Sequence, residues 1–93
     1  MLVLIKSGPD TSEGKRALEM AEEMSADIVL LQDGTYFVLN GLLEEFPRTK
    51  YAMAEDLELR GLAEVKKVSG LKNIQWDELT DMMAKEDKVI GAL

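Results

Sequence analysis

The 93-residue chain predicts a small α/β domain built on a mostly parallel sheet of about four strands. Two observations carry this. Leu2-Val3-Leu4-Ile5 and Ile28-Val29-Leu30-Leu31 are continuous apolar runs rich in branched side chains, the pattern of strands covered by helices on both faces. Between them lies a polar turn and one amphipathic segment, enough chain for a right-handed crossover to a parallel neighbour.

The elements follow in order. Ser7-Gly8-Pro9-Asp10-Thr11-Ser12 is a turn, and the helix after it runs to about Met24 with an apolar stripe of Ala17, Leu18, Ala21 and Met24. Asp10 and Glu13 have capping-box spacing, while Thr11 or Ser12 could cap that helix equally well. Asp27 to Leu31 is the second strand. Val38, Leu39, Leu42, Leu43 and Phe46 recur at helical spacing and predict a second helix over Thr35 to Glu45, stopped by Pro47. Tyr51 to Ala54 reads as a third strand, and Asp56 to Arg60 as a short helix ended by Gly61. Lys72 to Gln75 reads as a fourth strand, followed by a helix capped by Asp77 with Leu79, Met82 and Met83 on its buried face. The apolar tail Val89-Ile90-Gly91-Ala92-Leu93 is too short to place alone. No repeat or linker divides residues 1–93, so one domain is expected.

Composition excludes more than it assigns. Hydrophobic residues make up 46% of the chain, generous for so small a domain, and some of that surface is expected in a subunit interface. A net charge of −7 disfavours direct nucleic-acid binding, whose affinity comes from basic groups displacing counterions from phosphate. With no cysteine there is no disulfide, thiolate metal site or sulfur-carrying nucleophile, and with no histidine the commonest acid/base group and metal ligand is missing too. No metal or cofactor is expected. The opening apolar run is too short for a signal peptide or membrane span, which points to the cytoplasm.

Several nucleotide- and phosphate-binding patterns fail on spacing. Five residues separate Gly8 from Gly14 where a phosphate-binding loop has four, Arg16 follows Lys15 where Ser or Thr is needed, and Asp10 and Glu13 would repel phosphate. A receiver domain needs an acidic pair after the first strand, where Lys6 and Ser7 stand. A flavodoxin needs aromatic residues flanking a flavin, and the chain has only a partial hydroxyl cluster. Glu22-Glu23, Glu44-Glu45 and Glu55-Asp56 are adjacent pairs that diverge by about a hundred degrees on a helix, so they read as solvated faces rather than acid/base pairs. Trp76 reads as a packing residue at a strand-to-helix junction.

The remaining candidate is Gln32-Asp33-Gly34-Thr35-Tyr36. It follows an apolar strand, at the carboxyl edge where open α/β sheets bind ligands, beside the Ser7-Gly8 turn. Locally, Asp33 is expected to cap the second helix, Gly34 to adopt a backbone angle other residues avoid, and Tyr36 to cover the core edge. The same residues, with Ser7 and Gly8, form the candidate surface for a partner or small ligand.

Leu30-Leu31-Gln32-Asp33-Gly34-Thr35-Tyr36 resembles the strand and acidic-glycine turn of the DsrH/TusB family of DsrE-like sulfur-relay proteins. Glu55-Asp56-Leu57-Glu58-Leu59-Arg60-Gly61-Leu62 is similar to that family's Asp-Leu, Arg-Gly segment, and Trp76 through Ile90 to its closing helix and Asp-Lys-Val tail. The resemblance implies a flavodoxin-like (DsrE-like) three-layer fold with strand order 2-1-3-4. It also implies a cytoplasmic sulfur-relay complex with DsrE/TusD-like and DsrF/TusC-like subunits, serving tRNA wobble-uridine 2-thiolation or dissimilatory sulfur metabolism. In that family the persulfide-bearing cysteine belongs chiefly to the DsrE/TusD-type subunit, and some DsrH members carry one on their first helix. This chain has none, so the implied role is a non-catalytic scaffold. The alternative is a stand-alone homodimeric protein that has left the relay and binds a small ligand at the Gln32 to Tyr36 edge.

Overall fold

The computed structural model describes residues 1–65 and 68–93. Its strands are β1 (Leu2–Ile5), β2 (Asp27–Leu30), β3 (Lys50–Met53), β4 (Lys72–Ile74) and β5 (Val89–Ile90), and its α-helices are α1 (Ser12–Glu23), α2 (Ala54–Leu59) and α3 (Trp76–Lys85). The strands pair in parallel throughout, in the order β4-β3-β2-β1-β5.

The three-layer α/β class is as expected, but the strand order 2-1-3-4 is not found. The unplaced tail is the reason. Val89 and Ile90 pair with Leu2 and Val3, taking the side of β1 that the expected order gives to β3, so β3 pairs instead with the outer edge of β2. The chain therefore steps one strand at a time from β1 to β4, and right-handed crossovers put α1, the segment after β2 and α2 on one face. Val3, Ile5, Ile28, Leu30 and Ala52 pack there against Ala17, Ala21, Phe37, Val38 and Leu57. The return from β4 to β5 runs the other way, which puts α3 on the opposite face, where Leu79 and Met82 cover Leu2, Leu4, Val29, Met53 and Ile74. Alternate residues of β1 and β2 thus enter different cores, which is why β1 is apolar throughout and β2 is apolar at every position after Asp27.

Each helix has an identifiable start or stop. Thr11 is the N-cap of α1, its hydroxyl accepting the Gly14 N–H at 2.9 Å. At its other end Ser25 and Ala26 donate to the Glu22 and Ala21 carbonyls, the Schellman pattern, with Ser25 at a φ of 53°. Gly61 (φ 68°) and Leu62 close α2 the same way onto Glu58 and Leu57. For α3 the expected Asp77 cap is replaced by Gln75, whose backbone N–H donates to the Glu78 carboxylate at 3.0 Å; Asp77 lies in the first turn instead. Met83 of that helix is 41% exposed rather than buried, and Trp76, expected to pack at the junction, is 49% exposed.

The predicted helix over Thr35 to Glu45 is replaced by a 3₁₀ helix, Gln32–Val38, and a series of tight turns. Asn40 (φ 59°) and Gly41 (φ 68°) are both left-handed, which no continuing helix accommodates. Val38, Leu43 and Phe46 still reach the core from these turns, whereas Leu42 is 47% exposed.

Tyr51, half-buried beside α3, has its phenol pushed above the usual 10.0, first by burial and then by the charges of Asp27 and Glu86. The folded state keeps a proton that the unfolded chain releases near pH 10, so this contribution to stability is complete below that pH and is lost as pH rises above it. We expect stability to fall more steeply above pH 10 in the parent than in Tyr51→Phe, measured by denaturant titration across the alkaline range. Equal slopes would remove Tyr51 as the cause.

Candidate functional site

The polar end of the sheet is built by close backbone contact. The Leu31 N–H donates to the Ile5 carbonyl at 3.0 Å, and the Gly34 N–H donates to both Lys6 (3.1 Å) and Leu31 (2.9 Å) carbonyls, pinning the 3₁₀ helix to the end of β1. Gly34 is required there for proximity: a Cβ would lie 2.0 Å from the Ile5 carbonyl oxygen. Its φ is not positive; the left-handed residue of this turn is Gln32, at 50°. Gly14 serves the same purpose on the other side, since a Cβ would come within 2.1 Å of the Gly8 carbonyl oxygen. Thr11 completes the corner by donating its hydroxyl to that carbonyl at 2.7 Å.

Asp33 does not cap the 3₁₀ helix. The preceding residue Leu31 makes no side-chain cap, and the Asp33 carboxylate instead accepts from Arg60 Nε at 3.0 Å. The carboxylate that does hold this turn is Asp56, from the first turn of α2. Its Oδ2 accepts the Gln32 N–H at 2.8 Å, its Oδ1 lies 3.6 Å from the Arg60 guanidinium, and the residue is 7% exposed. Asp56 is therefore a buried partner of the strand-end turn, not part of a solvated Glu55-Asp56 face. The signal in the sequence is its i,i+4 spacing to Arg60.

Of the expected surface residues, Gly8, Asp33 and Tyr36 come together along an open cleft of about 570 Å³, joined by Asp10, Leu39 and Leu42. Gly34 and Thr35 are buried beneath it, Thr35 donating its hydroxyl to the Gln32 carbonyl at 2.7 Å. Ser7 turns towards the chain's end, its N–H bonded to the Leu93 backbone oxygen at 3.1 Å, and Gln32 is exposed with its N–H held by Asp56. The cleft thus offers two carboxylates, one phenol ring and two leucines: acceptors for a cationic or hydroxyl-bearing group beside an apolar wall, and no nucleophile stronger than a hydroxyl. Outside the cleft, in the first turn of α1, the exposed Glu13 carboxyl is held below its ordinary value by hydrogen bonding, first from the backbone and then from the Ser12 hydroxyl. Among the described residues no group of three or more acidic residues is placed to hold a metal ion, and no helix is long and apolar enough to cross a membrane.

Comparison with known proteins adds three findings. Residues 6–89 match the family model described as DsrH like protein. The chain superposes on the solution NMR structure of Tm0979 from Thermotoga maritima with a TM-score of 0.67 and 30% identity, covering 98% of this chain and 100% of that one. It also superposes on the crystal structure of the ychN protein from E. coli with a TM-score of 0.72 over 96% of both chains; at 17% identity this shows the shared fold alone. No curated protein matches the sequence. A match spanning residues 6–89, which begins just after β1 and takes in β2, the cleft, the Asp56–Arg60 pair and α3, establishes that the chain belongs to the DsrH family.

Proposed function

We propose that this chain is a non-catalytic subunit of a cytoplasmic sulfur-relay complex, scaffolding a cysteine-bearing DsrE/TusD-like partner together with a DsrF/TusC-like subunit. The observation that carries the reading is the combination of DsrH membership with a sequence lacking both cysteine and histidine. Membership supports a role related to sulfur relay. Persulfide transfer requires a thiolate to attack and hold sulfur, and none of these 93 residues supplies one. The exposed Leu42, Leu59, Trp76 and Met83 favour assembly, because apolar side chains of this size gain by burial against another subunit. In this reading Gln32, Asp33 and Tyr36, with the Ser7-Gly8 turn beside them, face the partner over the buried Gly34 and Thr35, and the relay serves tRNA 2-thiolation or dissimilatory sulfur metabolism. The open cleft supports the second reading, a homodimer that binds a small ligand there.

The test is coexpression with a cysteine-bearing DsrE-like protein of the same organism, followed by light scattering and exposure to a cysteine desulfurase with its substrate. We expect a mixed complex in which intact-mass analysis finds added sulfur on the partner and none on this chain. A homodimer that ignores the partner would favour the second reading, and covalent sulfur on this chain would end the scaffold assignment.

A further inference from the structure

At the opposite end of the sheet, the amino ends of β2, β3 and β4 surround a second cleft of about 480 Å³, lined by Asp27, Arg48, Lys50, Gly70 and Lys72. Strand pairing assembles it from positions far apart in sequence: Lys50 pairs with Ile28 and Lys72 with Tyr51. Its charge runs against the rest of the molecule. In a chain with 11 basic and 18 acidic residues, three cations converge here with one carboxylate.

That carboxylate is already engaged. Asp27 Oδ1 accepts the Thr49 N–H at 3.1 Å and lies 3.5 Å from Arg48 Nε, so it neutralises the guanidinium and fixes the loop before β3. Lys50 and Lys72 remain. Neither ammonium forms an ion pair or hydrogen bond among the described residues; that of Lys72 lies 5.9 Å above the Tyr51 ring, and Lys50 is only 9% exposed. Among the described residues no buried side-chain nitrogen or oxygen lacks a partner, so Lys50 buries its stem against the sheet while its unpaired ammonium reaches solvent. Its ammonium has the cleft to open into. Gly70, at a φ of 84° with no atom within 4 Å of where a Cβ would stand, leaves the lip unobstructed.

We propose that this cleft is a binding site for a phosphate-type dianion, separate from the cleft at the carboxyl edge. The reason for a dianion is charge balance. Arg48, Lys50 and Lys72 against Asp27 leave two uncompensated positive charges, which a phosphate or phosphate monoester cancels and a carboxylate or phosphodiester does not. Bulk attraction is not the cause, because the net charge of −7 repels anions at long range.

The experiment is a ¹⁵N–¹H NMR titration of the intact protein at fixed ionic strength with inorganic phosphate, phenyl phosphate, dimethyl phosphate and acetate. Inorganic phosphate and the monoester are expected to give saturable shifts at Lys50, Gly70 and Lys72, with the diester and acetate at least tenfold weaker. Lys72→Gln and Lys50→Gln are each expected to weaken phosphate binding at least fivefold, while Lys15→Gln, in the first turn of α1 at the other end of the sheet, leaves it unchanged. Lys72 is exposed, so its variant keeps the test decisive if Lys50→Gln folds poorly. Equal weakening by Lys15→Gln, shifts spread over the whole surface, or diester binding as tight as phosphate would each overturn the assignment.

Discussion

Gly34→Ala is expected to be the most damaging single-methyl change available in this chain. The new Cβ would stand 2.0 Å from the Ile5 carbonyl oxygen and 2.8 Å from its carbon, and both are backbone atoms of a central strand that cannot move aside. Relief requires lifting the 3₁₀ helix from β1, which breaks the Gly34 N–H bond to Lys6 and strains the Leu31 bond to Ile5. Overpacking typically costs about 1–3 kcal/mol, and an obstacle made of strand backbone puts this case at the upper end, about 3 kcal/mol. Against a total of roughly 5–15 kcal/mol for a small domain, that leaves little reserve. The melting temperature should drop by roughly 12–24 °C, at about 4–8 °C per kcal/mol for this size. Because the obstacle is the Cβ itself and not a positive φ, Gly34→Asn should be no milder than Gly34→Ala. Gly61 provides the contrast: its φ is 68° and nothing lies within 4 Å of a Cβ, so Gly61→Asn should cost under about 1 kcal/mol. Thermal unfolding of the three variants decides it, and rescue of position 34 by Asn would show that backbone angle, not proximity, is what the glycine supplies.

These positions also show what a sequence can and cannot reveal. The runs Leu2–Ile5 and Ile28–Leu31 are legible because burial on both faces demands an apolar residue at every position, a pattern few other environments impose. Strand order is not legible, because it turns on whether the two residues Val89 and Ile90 join β1, and two apolar residues name no partner. The second helix misleads for a related reason: the spacing of Val38, Leu43 and Phe46 suits a helix, but turns closed by Phe46 N–H on the Leu43 carbonyl bury the same three side chains. At the carboxyl edge, Gly8, Asp33 and Tyr36 can be anticipated from the rule that strand ends in open sheets face ligands. Leu42 joins them from beyond the left-handed Asn40 and Gly41, a reversal that the helical spacing of the apolar residues does not announce. The basic cleft at the other end depends on lateral strand pairing and leaves no local signature at all.

Asp56→Ala is expected to destabilise the protein by about 2–3 kcal/mol, and Asp33→Ala by less than about 1 kcal/mol. Both carboxylates contact Arg60, so the difference comes from burial and from what else each one holds. The Asp33 side chain is 66% exposed and its bridge to Arg60 is a surface ion pair, worth about 0–1 kcal/mol once solvent screening and side-chain entropy are counted. Asp56 is buried and accepts the N–H of Gln32, a residue held at a φ of 50°; removing it leaves that donor unpaired, and a hydrogen bond to a charged group contributes about 1.5–3 kcal/mol. Asp56→Asn keeps an acceptor for the Gln32 N–H and should regain much of the loss, whereas Asp33→Asn should be close to neutral. Denaturant unfolding of the four variants gives the ordering directly. Hydrogen exchange adds a local reading: the Gln32 amide should lose protection in Asp56→Ala while β1 and β2 amides keep theirs. If Asp33→Ala proves as costly as Asp56→Ala, the turn is held by the Arg60 bridge rather than by the buried carboxylate. An Asp33 nearly neutral for stability is instead free to be tested for binding: charge removal by Asp33→Asn would then alter the acidic cleft beside Tyr36 without disturbing the fold beneath it.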